Sequence, residues 1–157
     1  DGVLTDGSLI IMDGLTETRT MNIKDGYAIQ LAVKKGYKVV VISGATDTGA
    51  VENRMKKLGI TEVYMGVKDK ASLLEKIAEK HSFSREEILF IGDDIPDYKV
   101  MNSVGLPCCP ADAVSEIKSI SLYISSIPGG KGCVRDIIEK VLKLNNHWDI
   151  EIDVAAK

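Results

Sequence analysis

Four short apolar runs, most of them rich in β-branched residues, recur along the chain and are separated by segments with helical periodicity. They lie at 38–42, 63–67, 88–91 and, more weakly, 122–124. The runs do not alternate apolar with polar residues, as expected of strands that are buried on both faces. This order predicts an α/β fold in which helices cover both faces of a doubly wound parallel sheet.

Capping residues mark several of the helices that fill the intervals. Asp25 has the side chain of an N-cap, and Pro96 is suited to the first turn of a helix. Ser84 and Glu87 have the spacing of a capping box, but the next strand follows so closely that only one helical turn fits. We expect helices at 25–36, 51–59, 73–78, 96–105 and 134–141, and a frayed polar end from Asn145 onward.

The segment 9–21 differs from the rest of the chain. Two strand-like runs flank Asp13 and Gly14, a dipeptide that favours the tight turn of a β-hairpin. This hairpin is expected to be an appendage to the parallel sheet. Because 157 residues are too few for two ordinary domains and no linker is present, we expect a single domain over 1–157.

Composition excludes several classes of protein. The net charge is −3 and no basic stripe is present, so nucleic acid and anionic membranes are not expected partners. No apolar run approaches the roughly 20 residues that span a bilayer. Cys108, Cys109 and Cys133 have no metal-binding spacing, which favours reduced thiols in a cytoplasmic protein.

The residues that directly follow the predicted strands are mostly polar or charged. Ligands of an open parallel sheet bind beyond the carboxyl ends of its strands. The chain places polar or charged residues at each of these positions, and a strand that precedes Asp1 would add a carboxylate to them. The set comprises Asp1, Ser43–Gly44, Lys68–Lys70 and Gly92–Asp97.

This set fits the transfer of a phosphoryl group. A carboxylate can attack a phosphate dianion only if positive charge offsets their repulsion. Asp93 and Asp94 have the carboxylates that Mg²⁺ prefers, and Lys70 is a fixed positive charge. The Ser43 hydroxyl and the Gly44 backbone N–H can donate to a phosphoryl oxygen. We therefore expect Mg²⁺ as a cofactor.

The same four motifs, in the same order, resemble those of the haloacid dehalogenase superfamily of aspartate-nucleophile phosphatases. They are D-G-V-L-T-D-G, V-I-S-G, the lysine of V-K-D-K, and F-I-G-D-D-I-P-D. M-N-I-K-D-G-Y-A-I and I-P-G-G-K-G-C-V-R-D are further similar to stretches of its small capless members, which act on 3-deoxy-2-keto sugar acid phosphates. The resemblance covers residues 1–143 and implies a Rossmann-like fold without a cap domain.

The resemblance also implies a mechanism. In the superfamily motif D-x-D-G-V the first Asp is the nucleophile and the second is the acid/base residue, which makes Asp1 the second. The nucleophile and the first strand are then expected upstream of residue 1. The nucleophile forms an aspartyl phosphate while Asp1 protonates the leaving alcohol, and Asp1 then activates water. Mg²⁺ is expected on Asp93 and the Asp1 carbonyl, with Asp94 and Asp97 orienting waters and Lys70.

Candidate substrate contacts are more scattered. The helix-start loop supplies Asn22, Lys24, Asp25 and Gly26. Because no lid domain fits in the sequence, a neighbouring subunit is expected to cover the site, and the resemblance implies a homotetramer. In it Lys131 and Arg135 would meet the sugar carboxylate of a neighbour. Gly44 is followed by Ala45, where the resembling group commonly has a charged residue, so Arg54 and Lys56 are the remaining candidates for that carboxylate.

Several interpretations stay open. The substrate is an octulosonate 8-phosphate or a nonulosonate 9-phosphate, as in lipopolysaccharide or sialic acid (KDN) biosynthesis. Ala45 favours the nonulosonate slightly, since the octulosonate enzymes more often carry Arg there. The alternative from another class is a regulatory domain that holds an aspartyl phosphate with little turnover. A phosphomutase is disfavoured because it needs a closing cap.

Overall fold

The computed structural model describes residues 1–12, 16–46, 49–149, 151 and 154. Its first regular element is the predicted hairpin, in which β1 (Ile10–Met12) pairs antiparallel with β2 (Thr16–Thr18). The register sets Ile11 opposite Glu17. The Asp13–Gly14 turn lies outside the described residues.

The remaining strands pair only in parallel. One pair is formed by β3 (Val40–Ile42) and β4 (Glu62–Tyr64), and a triplet has the order β5 (Leu89–Ile91), β6 (Leu106–Cys109) and β7 (Tyr123–Ile124). The prediction of an α/β fold with parallel strands is confirmed. Within the described part of the chain the pair and the triplet are not hydrogen-bonded to each other, and no separate cap domain is present.

The sequence analysis missed β6. Its Pro107 lacks a backbone donor and its two cysteines are not β-branched, so the run Leu106–Cys109 has a weak strand signal. The strand forms because Pro107 needs only its carbonyl, which accepts a hydrogen bond from the backbone N–H of Leu122.

Among the described residues, six α-helices accompany these strands. They are α1 (Ile23–Lys34), α2 (Ala50–Lys57), α3 (Lys70–His81), α4 (Tyr98–Met101), α5 (Ser115–Ile120) and α6 (Cys133–Leu144). Buried Leu31 and Ala32 of α1 pack against Leu142 of α6. Val3 and Leu4, Val41 of β3 and Ile91 of β5 all pack against a second buried cluster, so the N-terminal segment shares a core with both groups of parallel strands. Among the residues that the structure describes, no helix is long and apolar enough to cross a membrane.

Two helix boundaries differ from the predictions. The N-cap of α1 is Asn22, whose Oδ1 accepts a hydrogen bond from the Lys24 backbone N–H at 2.9 Å, so Asp25 lies inside the first turn. The helix expected over 96–105 is a 3₁₀ turn at Ile95–Asp97 followed by the short α4. It ends early because the Gly105 N–H bonds to the Arg85 carbonyl. The single turn at Arg85–Glu87 and its capping box are confirmed.

The segment after α6 packs against α1, so the expectation that the end frays from Asn145 is wrong for its first residues. The Trp148 ring meets the Tyr27 ring edge-on, with 6.1 Å between centroids. The Tyr37 hydroxyl and His147 Nδ1 are hydrogen-bonded at 2.9 Å. One tryptophan buries enough apolar surface to hold this short segment.

Candidate active site

The N-terminal loop and the end of β5 meet at Gly2. Gly2 has a φ of +73°, and a Cβ built on it would lie 1.8 Å from Asp93 Oδ2. Only glycine allows the Asp93 carboxylate to lie directly against this backbone. The contact brings the Asp1–Gly2 peptide to the rim where β5 ends.

A chain of polar contacts runs behind Asp93. Lys70, the first residue of α3, donates from Nζ to Asp97 Oδ1 at 2.6 Å, and Asp97 Oδ2 accepts from the Asp93 backbone N–H at 3.2 Å. Asp97 is buried. The expected contact between Asp97 and Lys70 is therefore present, and Asp97 fixes both the lysine and the Asp93 loop.

The electrostatics of this cluster centre on Asp93. Burial, followed by the charges of Asp97 and Asp94, raises the pKa of Asp93 to about 6, while Lys70 opposes this rise. Lys70, Asp94 and Asp97 all act on Asp93, so the charged residues that were expected to converge lie close together.

The Asp1 carboxylate is held by a residue that the sequence analysis missed. Arg19, one residue after β2, donates from Nε to Asp1 Oδ1 at 2.8 Å, and Thr5 Oγ1 donates to the same oxygen at 3.2 Å. Arg19 lies in the polar stretch T-E-T-R-T, which matches no motif. The only available signal was the hairpin, which returns the chain toward residue 1.

Ser43 follows β3 and faces the same site. Its Oγ accepts a hydrogen bond from the Ala45 N–H at 3.1 Å, which leaves the hydroxyl hydrogen for another acceptor. Gly44 is exposed. Ser43, Ala45 and Thr46 line one cavity with Asp1 and Arg19. The structure therefore brings together Asp1, Ser43 and Ala45, and brings Lys70 and Asp93 to the adjoining backbone.

The fit to a divalent cation rests on Asp93. Burial first, and then the charges of Asp97 and Asp94, raise the pKa of Asp93, and a bound cation would favour its ionised form. The Asp93 carboxylate lies against the Asp1–Gly2 backbone. Asp94 is exposed and its Oδ1 accepts from the Ile95 N–H at 2.8 Å. Within the described residues no three His, Cys, Asp or Glu side chains are arranged to hold a metal. The fit is that of Mg²⁺, which uses few carboxylates and keeps several waters.

The predicted substrate contacts at the start of α1 differ in burial. Lys24 is exposed, and the Asn22 side chain caps its own helix. Asp25 is buried, and its Oδ1 accepts from the Arg135 N–H at 2.7 Å, so it caps α6. Burial raises the pKa of Asp25, and its Oδ2 lacks a hydrogen-bond partner among the described residues. Asp25 therefore joins α1 and α6, and its contact with the substrate stays a prediction.

Arg54 and Lys56 point in different directions. A Cβ on Gly26 would lie 3.1 Å from Arg54 Nη2, so the Arg54 guanidinium lies over the start of α1. Lys56 is exposed and pairs with Glu52 on the surface at 2.7 Å. Of the two candidates, the structure brings only Arg54 to the predicted substrate loop.

The glycine-rich loop before α6 packs on its own chain. The Gly130 N–H donates to the Val3 carbonyl at 2.9 Å, and Lys131 Nζ pairs with Asp6 Oδ2 at 3.1 Å. The Arg135 guanidinium lies over the Tyr27 and Trp148 rings, 5.5 and 5.4 Å from their centroids. Lys131 and Arg135 thus both have partners within their own chain, and their contact with the sugar carboxylate of a neighbouring subunit stays a prediction.

Comparison with known proteins begins with a family model. The model described as haloacid dehalogenase-like hydrolase matches residues 55–129. The 3-deoxy-D-manno-octulosonate 8-phosphate phosphatase KdsC of Escherichia coli (strain K12) is 34% identical over 149 residues, which are 95% of this chain and 79% of that protein.

Solved structures give the same result. The 3-deoxy-D-manno-octulosonate 8-phosphate phosphatase from Moraxella catarrhalis, crystallised with magnesium ion, phosphate ion and KDO, is 32% identical with a TM-score of 0.90, over 94% of this chain and 84% of that chain. The cobalt-bound deoxy-D-mannose-octulosonate 8-phosphate phosphatase from Haemophilus influenzae is 27% identical with a TM-score of 0.88, over 93% of this chain and 85% of that chain.

Proposed function

Since the chain belongs to the 3-deoxy-D-manno-octulosonate 8-phosphate phosphatase family of haloacid dehalogenase-like hydrolases, we propose that it hydrolyses the phosphomonoester of a 3-deoxy-2-keto sugar acid with the help of Mg²⁺. The family is one of phosphoric monoester hydrolases. The observation that carries the proposal is the contact of Asp93 with the Gly2 backbone, because it joins the acid/base motif to the carboxylate motif.

The nucleophile in this proposal is the aspartate that precedes Asp1 by two residues in the superfamily motif. Its strand would lie between β3 and β5, since Val3 and Leu4 pack against the same buried cluster as Val41 of β3 and Ile91 of β5. Asp1 gives a proton to the leaving sugar oxygen in the first step. In the second step Asp1 takes a proton from the water that hydrolyses the aspartyl phosphate.

Charge compensation comes from three sources. Asp93 and the Asp1 carbonyl oxygen would hold the cation. A bound Mg²⁺ offsets the repulsion between the attacking carboxylate and the phosphate dianion. Lys70, fixed by Asp97, supplies a positive charge that needs no metal, and the Ser43 hydroxyl and Gly44 N–H donate to a phosphoryl oxygen.

The relatives and the position of Arg54 support the proposed substrate class. The relatives named above act on an octulosonate 8-phosphate, which supports the eight-carbon substrate over the nine-carbon one that Ala45 favoured. Arg54 over Gly26 is the cation that we assign to the sugar carboxylate. Asn22 and Lys24 remain candidate contacts for the sugar.

The surroundings of the site support an assembly. Ile10 and Ile11 of the hairpin are exposed apolar residues, which suits a hairpin that packs against other copies in a homotetramer. Such packing would shield the open site from water. Cys108, Cys109 and Cys133 are buried free thiols, which agrees with a cytoplasmic protein.

The test is phosphate release by the full-length protein from three classes of substrate. These are octulosonate 8-phosphate, nonulosonate 9-phosphates and hexose phosphates, each with and without Mg²⁺. Mg²⁺-dependent release confined to the keto acids supports the proposal, and the preferred chain length identifies the sugar. A stable phosphorylated protein without release would instead support the regulatory alternative.

A further inference from the structure

We propose that Arg19 positions Asp1 for the acid/base step. The hairpin then contributes to catalysis, because it brings Arg19 next to Asp1. Arg19 holds Asp1 through Oδ1, so that Oδ2 carries the transferred proton. The inference rests on the proposed function, in which Asp1 protonates the leaving oxygen. It goes beyond that function because it assigns Arg19 and Thr5 to the step.

The first support is the burial of Arg19. Its side chain is 14% exposed, whereas Asp1 is 35% exposed. A largely buried side chain with a 2.8 Å charged hydrogen bond is less mobile than a surface ion pair. Arg19 therefore fixes the rotamer of the more exposed partner.

The second support is the hydrogen bonding of Thr5. Thr5 is buried, and its Oγ1 accepts hydrogen bonds from the Gly2 N–H at 3.2 Å and the Gly7 N–H at 3.4 Å. With both lone pairs engaged, the hydroxyl can only donate. Its hydrogen therefore points at Asp1 Oδ1, at 3.2 Å.

These contacts make the two oxygens of Asp1 unequal. Both hydrogen bonds that the described residues donate to the carboxylate end on Oδ1. In a protonated carboxyl group the hydroxyl oxygen is the poorer acceptor, so the proton resides on Oδ2. The acid therefore presents its proton on the oxygen that Arg19 and Thr5 leave unoccupied.

The same contacts stabilise the negative charge that forms on Asp1 when it gives up its proton. As the bond from the nucleophile to phosphorus forms, the bond from phosphorus to the sugar oxygen breaks. The proton on Oδ2 passes to that oxygen, which leaves as an alcohol, and Asp1 becomes a carboxylate. Arg19, already bound to Oδ1, balances the new charge without reorganising.

Leaving-group dependence tests this role. We would measure kcat/KM of the full-length protein on octulosonate 8-phosphate and on 4-nitrophenyl phosphate, whose leaving group departs without a proton. Because kcat/KM reports the steps only as far as the aspartyl phosphate, it leaves out the hydrolysis step in which Asp1 acts as base for both substrates. For Arg19→Met we expect kcat/KM to fall about 100-fold on the sugar phosphate, since general acids contribute on this scale. On the aryl phosphate kcat/KM should change less than about threefold, which also reports that the variant is folded.

Two matched pairs complete the experiment. Arg19→Lys keeps a positive charge and should recover part of the rate that Arg19→Met loses. Arg85→Met, on an exposed turn far from the hairpin in sequence, should leave the rates on both substrates unchanged. Thr5→Val should show a smaller loss of rate, confined to the sugar phosphate, and Thr5→Ser should restore that rate.

Equal losses of rate on both substrates in Arg19→Met, or no loss, would overturn the role of Arg19. A wild-type protein that releases phosphate only from the aryl ester would overturn the proposed function itself and this inference with it.

Discussion

Lys70 and Asp97 form the tightest described ion pair of the site, with Nζ 2.6 Å from Oδ1 and both side chains largely buried. They come from different strand tips, 27 residues apart. The second oxygen of Asp97 accepts the Asp93 backbone N–H. One buried carboxylate therefore sets the positions of the fixed cation and of the expected metal ligand.

We expect Asp97→Asn to lower kcat for the keto acid phosphate by about 10- to 100-fold, the usual effect of removing a partner that orients a catalytic group. The amide oxygen can still accept from Asp93, but Lys70 loses its counter-charge. Steady-state kinetics checks this. Asp149→Asn is the control, because Asp149 pairs with Lys35 and accepts from the Glu151 N–H at the surface. Unchanged kcat in Asp97→Asn would show that Lys70 is positioned without Asp97.

We expect Gly2→Ala to abolish Mg²⁺-dependent activity, because the new Cβ would displace the Asp93 carboxylate. Gly36→Ala is a matched control: Gly36 has a φ of +86° and nothing within 4 Å of the added carbon. Both variants should lose about 1–2 kcal/mol of stability from the left-handed backbone. Mg²⁺ titration of activity and thermal denaturation separate the two effects. Equal activity in both variants would contradict the close contact.

Glu62 should stabilise the fold in a pH-dependent way. Its carboxylate contacts Lys38, His81 and Lys80 and accepts the Tyr64 hydroxyl. The Lys38 contact is the main cause that lowers the pKa of Glu62 from its ordinary 4.5 to about 2. A lowered pKa gives stability that is complete above about pH 4.5 and is lost as the pH falls toward about 2.

The variant Glu62→Gln should therefore have a free energy of unfolding about 1–2 kcal/mol lower than the wild type at neutral pH, after allowance for screening at the exposed Lys80. This difference should shrink as the pH falls from about 4.5 toward about 2. Urea denaturation at several pH values measures it. Glu75→Gln, on the exposed face of α3, should show no such convergence. A deficit that stays constant with pH would mean that Glu62 acts through packing alone.

Arg54→Ala should raise KM for the keto acid phosphate by about 10- to 100-fold, since a hydrogen bond to a charged group contributes about 1.5–3 kcal/mol. Lys56→Ala should leave KM unchanged, because Lys56 pairs with Glu52 away from Gly26. Steady-state kinetics on both variants checks the assignment. A larger effect for Lys56 than for Arg54 would place the sugar carboxylate elsewhere.

The sequence predicts the parts of the site that lie at strand tips. Ser43, Lys70 and Asp93 each follow an apolar run, and parallel pairing brings such positions to one rim without further information. The hairpin was predictable from its local turn chemistry in the same way.

Contacts set by tertiary packing were not predictable. Arg54 and Lys56 are two positions apart on a helix and so point about 200° apart, but periodicity alone does not say which one faces the site. Asp25 has the chemistry of an N-cap and does cap a helix, but that helix is α6, 110 residues away from it along the chain. The stacking of Arg135 on Trp148 likewise depends on how the C-terminal segment returns to α1.

The central claim is best tested by phosphate release from octulosonate 8-phosphate, measured on full-length protein after metal removal and again after Mg²⁺ is restored. Phosphate release should be absent without metal, should recover with Mg²⁺, and should not recover in an Asp93→Asn variant that remains folded. Release that is unaffected by metal removal, or full activity in Asp93→Asn, would contradict it.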